Sequence, residues 1–262
     1  MRPAQWALVF ISLFLLLGAR HGRVVQVVDG DTVVLDDGQR VRYLGINTPE
    51  RGEPLWRRAK EENARLVMGK VVRLEGEGGL MEDKYGRLLA YLFVDGRMVN
   101  EELLRRGLAH LFVIQPIGFY RRFYFLQEEA RRKGLGIWGK GGFPGPLKIT
   151  SLHADAPGDD RFDLSGEYVR ICNISPRPIP LRGFWIRDRR GHIYRFPAGE
   201  LRPGYTLLLF SGKGRDVREG ATELHFFWGS DYPIWNNKGD EAFLYSPEGK
   251  LIDRFRYRRR RP

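Results

Sequence analysis

The sequence is poor in cysteine, and after its first twenty residues it has no long apolar run. A single cysteine, Cys172, occurs among 262 residues, which excludes an internal disulfide and a zinc site built from several thiolates. The five histidines are scattered without the spacing of metal ligands. Disorder is excluded because aromatic residues make up 13% of the chain and its charges are of mixed sign. Stability must therefore come from a packed core, in which we expect Cys172 to be buried.

Positive charge is in excess. The chain has 44 Lys and Arg against 32 Asp and Glu, a net charge of +12, which predicts an acidic partner such as nucleic acid or an anionic surface. Arginines are concentrated at the end of the sequence, between residues 254 and 261. The Arg-rich tail, residues 258–262, is either a solvated extension or a contact for polyanions.

The N-terminal residues have their own composition. An apolar stretch covers residues 6–18 and is flanked by Arg2 and Arg20. Its length suits the core of a signal peptide and falls short of the roughly 20 residues of a membrane-spanning helix. We expect residues 1–22 to be a signal peptide or an uncleaved N-terminal anchor, with a buried core helix as the remaining alternative. The protein is therefore expected to be secreted or extracytoplasmic.

Glycine and proline mark a boundary near the middle of the chain. Residues 139–146 read GKGGFPGP, a composition that suits neither helix nor strand. We predict two domains, residues 23–142 and residues 147–257.

The first domain combines strands and helices. Short β-branched segments separated by Asp-Gly pairs predict hairpins, and Gly and Pro positions delimit the helices. The predicted strands cover residues 24–28, 32–35, 39–44, 71–75 and 88–94. The predicted helices cover residues 54–68, 100–106 and 119–133, with Asn100 as the N-cap of the second. Five strands with packed helices predict an α+β fold, a small barrel of the OB type.

Chemically active side chains lie in the loops of this domain. Each motif alone has an ordinary explanation, because Asp-Gly and Tyr-Gly-Arg are common in turns. Their joint occurrence in this order indicates function. The segments are VDGDT at residues 28–32, VRYLGINTPE at 41–50, DKYGRLLAY at 83–91 and MVNEELLRRGLA at 98–109.

These four segments resemble the staphylococcal nuclease (thermonuclease) family, and the resemblance covers residues 23–140. It implies an OB-like barrel and calcium-dependent hydrolysis of DNA or RNA phosphodiesters that leaves 3′-phosphates. By motif position it implies catalytic roles for Arg42, Glu50 and Arg87. It also implies calcium ligation by Asp31, Asn47 and the carbonyl of Thr48, with Asp29 close by, and substrate contacts from Lys84 and Tyr85.

Physical chemistry gives the three catalytic positions a reason. Planar guanidinium groups can hold two phosphate oxygens at once, so Arg42 and Arg87 suit a transition state rich in negative charge. A carboxylate such as Glu50 can orient and deprotonate the attacking water.

Two departures from the family pattern affect the expectations. The family has an aspartate where this chain has Asn47, which predicts weaker calcium binding because one formal charge is lost. The family also places two tyrosines beside the bound nucleotide, where this chain has Val113 and Gln115. Base stacking is therefore expected to be reduced.

The second domain reads as all-β. The predicted strands cover residues 168–172, 185–187, 192–196, 206–210, 241–245 and 251–257, the pattern of a sandwich. It resembles the lamin-tail domain, an immunoglobulin-like fold. The matching segments are GEYV at residues 166–169, Asn173, LRGFW at 181–185, LRPG at 201–204 and WNNKGD at 235–240. The resemblance implies a binding or tethering module for nucleic acid, a membrane or cell-surface material.

Two function classes remain open. The first is a calcium-dependent nuclease acting on DNA or RNA, with a C-terminal module that contacts an anionic surface or the cell envelope. The second is a catalytically inactive protein that binds nucleic acid or adheres to surfaces. Retention of Arg42, Glu50 and Arg87 favours the enzyme. No protein partner is predicted.

Overall fold

A computed structural model of the chain describes residues 20–154, 164, 166–218 and 220–258. Most of the predicted leader lies outside the described residues, although residues 20–22 form the start of the first strand. Residues 259–262 of the predicted Arg-rich tail also lie outside them. Within the described part, no helix is long and apolar enough to cross a membrane.

The first half of the chain forms a closed barrel with helices packed on it. Its strands are β1 Arg20–Val27, β2 Thr32–Leu35, β3 Arg40–Tyr43, β4 Ile46–Asn47, β5 Val71–Glu75, β6 Met81–Glu82, β7 Leu88–Val94, β8 Arg97–Met98 and β9 His110–Leu111. Its helices are α1 Trp56–Val67, α2 Val99–Arg105 and α3 Tyr120–Arg132, followed by a short 3-10 helix, Gly136–Trp138. Strands in the order β3-β2-β1-β5-β7 close into a barrel because β3 also pairs in parallel with β7. The predicted five-stranded barrel is confirmed.

One detail of the helix prediction is wrong. Helix α2 begins at Val99, and Asn100 is a fully buried residue within it rather than its N-cap. The Asn100 Oδ1 atom accepts a hydrogen bond from the Leu92 N–H at 3.0 Å, and its Nδ2 donates to the Leu44 carbonyl at 2.9 Å. Asn100 therefore ties the helix to the barrel, since a buried amide must find partners.

The second half forms two sheets that face each other. Its strands are β10 Leu147–His153, β11 Tyr168–Asn173, β12 Ile179–Pro180, β13 Trp185–Arg187, β14 Ile193–Arg195, β15 Glu200–Leu201, β16 Thr206–Phe210, β17 Glu223–Phe227, β18 Gly239–Tyr245 and β19 Leu251–Arg258. The sheets have the orders β10-β11-β16-β17 and β14-β13-β18-β19, and β12 pairs with β15. Both larger sheets contribute to one core, for example through Ile149, Leu207 and Leu244. This arrangement bears out the predicted immunoglobulin-like sandwich.

The two halves are in close contact, and residues 139–146 between them form neither helix nor strand. The Val113 N–H donates to the Gly204 carbonyl at 2.7 Å. A Cβ atom at Gly204 would lie 2.4 Å from Leu111 Cγ, so only glycine allows this approach of the two backbones. The Tyr124 hydroxyl donates to the Pro176 carbonyl at 3.1 Å. The sandwich therefore covers the side of the barrel that carries Val113.

Candidate active site

The tip of the β1–β2 hairpin meets the loop that follows β4. The Asp31 Oδ2 atom accepts hydrogen bonds from the Thr48 N–H at 2.7 Å and from its hydroxyl at 3.0 Å. A Cβ atom at Gly30 would lie 2.6 Å from Thr48 Oγ1, so the glycine is required for this contact. The Asp29 Oδ1 atom accepts from the Asp31 N–H at 3.2 Å. Asp31 is thus fixed against Thr48, and the Asp29 carboxylate is bonded to the backbone of Asp31.

Arg42 is held from several sides. Its Nη1 donates to the carbonyls of Tyr43 and Ile46, each at 2.9 Å, and its Nη2 donates to Asn47 Oδ1 at 2.8 Å. Nη1 also lies 3.3 Å from Asp31 Oδ2, and the Arg42 side chain is 11% exposed. The guanidinium is therefore oriented before any substrate arrives, which is what a transition-state contact requires.

A buried histidine fixes the orientation of Asn47. Burial lowers the pKa of His110 to about 3, so the ring is neutral. Its Nδ1 lies 2.9 Å from the Leu111 carbonyl, which can only accept, so Nε2 is left to accept from Asn47 Nδ2 at 3.4 Å. The Asn47 Nδ2 also donates to the Thr48 carbonyl at 3.2 Å. The amide oxygen of Asn47 therefore faces Arg42, and its role as a calcium ligand stays a prediction.

Glu50 lies in an acidic and partly buried environment. Burial raises the pKa of Glu50 to about 7, helped by Asp31 and Asp29 and opposed by Arg42. Burial and Asp31 raise the pKa of Asp29 to about 6. Within the described residues, the Glu50 carboxylate has neither a hydrogen bond nor an ion pair. The backbone N–H of Glu50 donates to Glu53 Oε2 at 2.7 Å. The carboxylate is free to receive a proton, and a nearby cation would relieve the mutual repulsion of the acids.

The oxygen donors around Asp31 are of the kinds that calcium binds. Among the described residues, no three His, Cys, Asp or Glu side chains form a ready-made metal cluster. Asp31 nevertheless supplies a carboxylate in contact with the Thr48 N–H and hydroxyl, and the Asp29 carboxylate is bonded to the Asp31 N–H. Calcium accepts carboxylates, backbone carbonyls and water in flexible geometry. The chemistry of these donors therefore fits calcium with water completing its coordination.

Arg87 directly precedes β7, which pairs with β3 in the barrel. It lies two residues before Leu89, which is the parallel register partner of Arg42. Alternation along the strand places both arginines on one face, with Cα atoms about 8 Å apart from standard strand spacings. The Arg87 Nε donates to Asp83 Oδ2 at 2.8 Å, and the side chain is 24% exposed. Arg87 is thus held by Asp83 rather than by the group around Arg42.

Lys84 and Tyr85 contact the second half of the chain. The Lys84 Nζ donates to the Tyr168 hydroxyl at 2.9 Å, and the Tyr85 hydroxyl lies 2.9 Å from His153 Nε2. The Tyr85 and His153 rings stack with centroids 5.9 Å apart, and Tyr85 is 51% exposed. The two residues predicted to contact substrate are therefore supported by the sandwich, and Tyr85 keeps an exposed surface.

Sequence reasoning missed several residues around the site. His110 reaches Asn47 and Lys148 reaches Glu53 by tertiary contacts, whereas Glu53 is bonded to Glu50 within one loop. The alternation of Leu147, Lys148 and Ile149 would place the lysine on a solvated strand face, whereas its side chain is only 3% exposed. No local signal could have identified it.

Two protein families match the chain. The family described as staphylococcal nuclease homologue matches residues 40–140. The family described as Lamin Tail Domain matches residues 143–259. The first match contains Arg42, Glu50 and Arg87, and the second contains every strand of the sandwich.

Curated relatives match the barrel half. Endonuclease YncB of Bacillus subtilis (strain 168) is 40% identical over 129 residues, which cover 45% of this chain and 61% of YncB. The SPbeta prophage-derived endonuclease YokF of the same organism is 41% identical, with 45% of this chain and 44% of YokF covered. The chain thus spans less than two thirds of these two relatives. The thermonuclease of Staphylococcus intermedius is 38% identical over 125 residues, which cover 44% of this chain and 74% of that enzyme. The chain therefore belongs to the staphylococcal nuclease family and carries a lamin tail domain after its barrel.

Proposed function

We propose that this protein is a calcium-dependent nuclease that hydrolyses phosphodiester bonds of DNA or RNA by in-line attack of an activated water. The observation that carries the proposal is the arrangement of Arg42, whose guanidinium is held by Asp31 and Asn47 and acts electrostatically on Glu50, a carboxylate with no partner among the described residues. A protein that only binds nucleic acid does not need such a carboxylate in the field of an oriented arginine. The names of the relatives, endonuclease and thermonuclease, support the same class.

Each residue has a proposed role. Glu50 orients the attacking water and takes its proton. Arg42 and Arg87 hold the phosphate oxygens on which negative charge builds up. Asp31, Asp29, Asn47 and the Thr48 carbonyl would hold the calcium ion. Bound calcium would supply a Lewis acid that neutralises and polarises the phosphate.

Calcium dependence gives the direct test. Cleavage of single- and double-stranded DNA and RNA should require calcium, with half-maximal activity at about 10⁻⁴ to 10⁻³ M because Asn47 contributes no formal charge. Excess chelator should abolish cleavage, and re-addition of calcium should restore it. The variant Asn47→Asp should need less calcium if residue 47 is a ligand. Cleavage that persists in chelator would contradict the calcium proposal, and no cleavage of any substrate would favour the binding protein.

The second domain has a basic and aromatic surface. Along β13 and β18, Ile186 and Leu244 point into the core, so alternate residues form an opposite, outer face. We define the outer face by Trp185, Arg187, Arg195, Phe243, Tyr245, Arg254 and Arg256. Trp185 and Tyr245 stack at 3.9 Å, and Arg187 lies 4.3 Å from the Phe243 ring centre. We propose that this face binds nucleic acid, since cations fit phosphates and aromatic rings fit bases.

Salt dependence of binding tests the outer face. The double variant Arg254→Ala/Arg256→Ala should bind duplex DNA more weakly in chelator. The slope of log affinity against log salt should become shallower by up to about 2, because each lost phosphate contact removes about 0.9. Both side chains are more than half exposed, and within the described part of the chain they pair only with Glu241, so folding should be unaffected. The matched control is Lys213→Ala/Arg218→Ala, which removes exposed, paired cations elsewhere in this domain. An unchanged slope in the first variant would exclude the outer face.

We also propose an extracytoplasmic location, on the basis of the apolar stretch at residues 6–18. Fractionation of the source cells with an antibody to the sandwich domain would test it.

A further inference from the structure

A charged pair is buried where the lamin tail domain meets the barrel. The Lys148 Nζ of β10 forms a hydrogen bond and ion pair with Glu53 Oε1, in the loop before α1. The side chains are 3% and 16% exposed. The same Nζ lies 4.2 Å from the Phe143 ring centre and 3.9 Å from Asp253 Oδ2. Separating this pair would leave the buried Lys148 charge without its main partner, which costs free energy. The Glu53 carboxylate is therefore held against the lysine.

The second carboxylate oxygen of Glu53 faces the active site. Glu53 Oε2 accepts the hydrogen bond from the Glu50 N–H at 2.7 Å. A single carboxylate therefore joins a lysine of the lamin tail domain to the backbone of the proposed general base. At its other end the same loop is anchored to the barrel, because the Thr48 N–H and hydroxyl donate to Asp31. The loop that carries Glu50 is thus held by both domains.

We propose that Lys148 is a positioning residue that acts through Glu53 on Glu50, so that the lamin tail domain forms part of the catalytic unit in addition to any binding role. The inference rests on the proposed nuclease function. A general base must lie within hydrogen-bond reach of the water it deprotonates, and a displacement of about 1 Å can lower the rate by about 10²-fold. The domain supplies this position through one buried amino group.

Kinetics of the full chain test the link. Lys148→Met and Glu53→Ala should each lower kcat by about 10- to 100-fold with KM little changed, since neither residue is proposed to contact substrate. The double variant should lose no more than the larger single loss, because both residues act in one chain of contacts. Glu53→Ala tests the link if Lys148→Met does not fold, since Asp253 remains beside the lysine.

The matched control is Tyr124→Phe. It removes another hydrogen bond between the domains, to the Pro176 carbonyl, on a helix that does not carry Glu50. This variant should keep the kcat of the parent protein. A kcat loss in Tyr124→Phe equal to that in Lys148→Met would show that domain docking in general, and not the link to Glu50, is needed.

Amide hydrogen exchange supplies a readout that does not need activity. Peptides that cover residues 48–55 should lose protection in Lys148→Met and Glu53→Ala and keep it in Tyr124→Phe. If the parent protein cleaves no nucleic acid, the proposed function fails, and the exchange data still decide whether Lys148 orders the loop. Folded variants with parental kcat and parental exchange would overturn the inference. So would losses that multiply in the double variant.

Discussion

Replacement of Arg87 by alanine is expected to lower kcat by about 10³- to 10⁵-fold, the range observed for arginines that stabilise phosphoryl-transfer transition states. The side chain lies at the β6–β7 hairpin, partly exposed and bonded to Asp83, so its loss should leave the barrel folded. The measurement is kcat at saturating substrate and calcium, together with the thermal unfolding midpoint. Arg87→Lys should recover only part of the loss, since an ammonium group cannot bridge two oxygens.

Arg97→Ala provides the control for charge alone. Arg97 is an exposed arginine of β8 in the same barrel, and its removal should leave kcat unchanged. If Arg87→Ala cleaved as fast as the parent protein, Arg87 would be a turn residue that pairs with Asp83 and nothing more.

Glu50→Gln is expected to lower kcat by about 10²- to 10⁴-fold, the usual contribution of a positioned general base. An amide of the same shape cannot accept the proton of the attacking water. The N–H of residue 50 still donates to Glu53, so the loop should keep its conformation. The measurement is kcat at saturating substrate and calcium, together with the single-turnover rate when enzyme is in excess over substrate.

The control for this substitution is Glu61→Gln, on the exposed face of α1. It makes the same change of charge without entering the acidic site and should leave the rate unchanged. A parental rate in Glu50→Gln would mean that another group, or bulk hydroxide, removes the proton.

Much of the fold could be predicted because its signals are local. The strands Val71–Glu75 and Leu88–Val94 have the predicted bounds, since β-branched and apolar residues end there at glycine or a turn. Strand Glu223–Phe227 was missed, because it is completed only by a parallel pairing with Thr206–Phe210. Asn100 was misassigned because its amide can cap a helix or can bond buried backbone groups of the barrel equally well. Only the tertiary structure decides between these two roles.

The site divides in the same way. Asp31, Arg42 and Asn47 are in contact with one another and lie within a short stretch of sequence. The order of the sequence motifs was therefore enough to predict that these three side chains come together. Lys148 lies 95 residues from Glu53, and Tyr168 lies 84 residues from Lys84. Contacts of such range depend on how two domains pack, and short sequence patterns carry no information about that packing.

The pair of Lys148 and Glu53 also limits how this protein could exchange parts with its relatives. An appended domain can be lost or replaced freely when no side chain of the neighbouring domain needs a partner from it. Here, removal of the appendage would leave an acidic side chain beside the general base without its countercharge. Recombination between the two halves is therefore expected to succeed only when positions 53 and 148 are inherited together, or when the acid is lost in the same event.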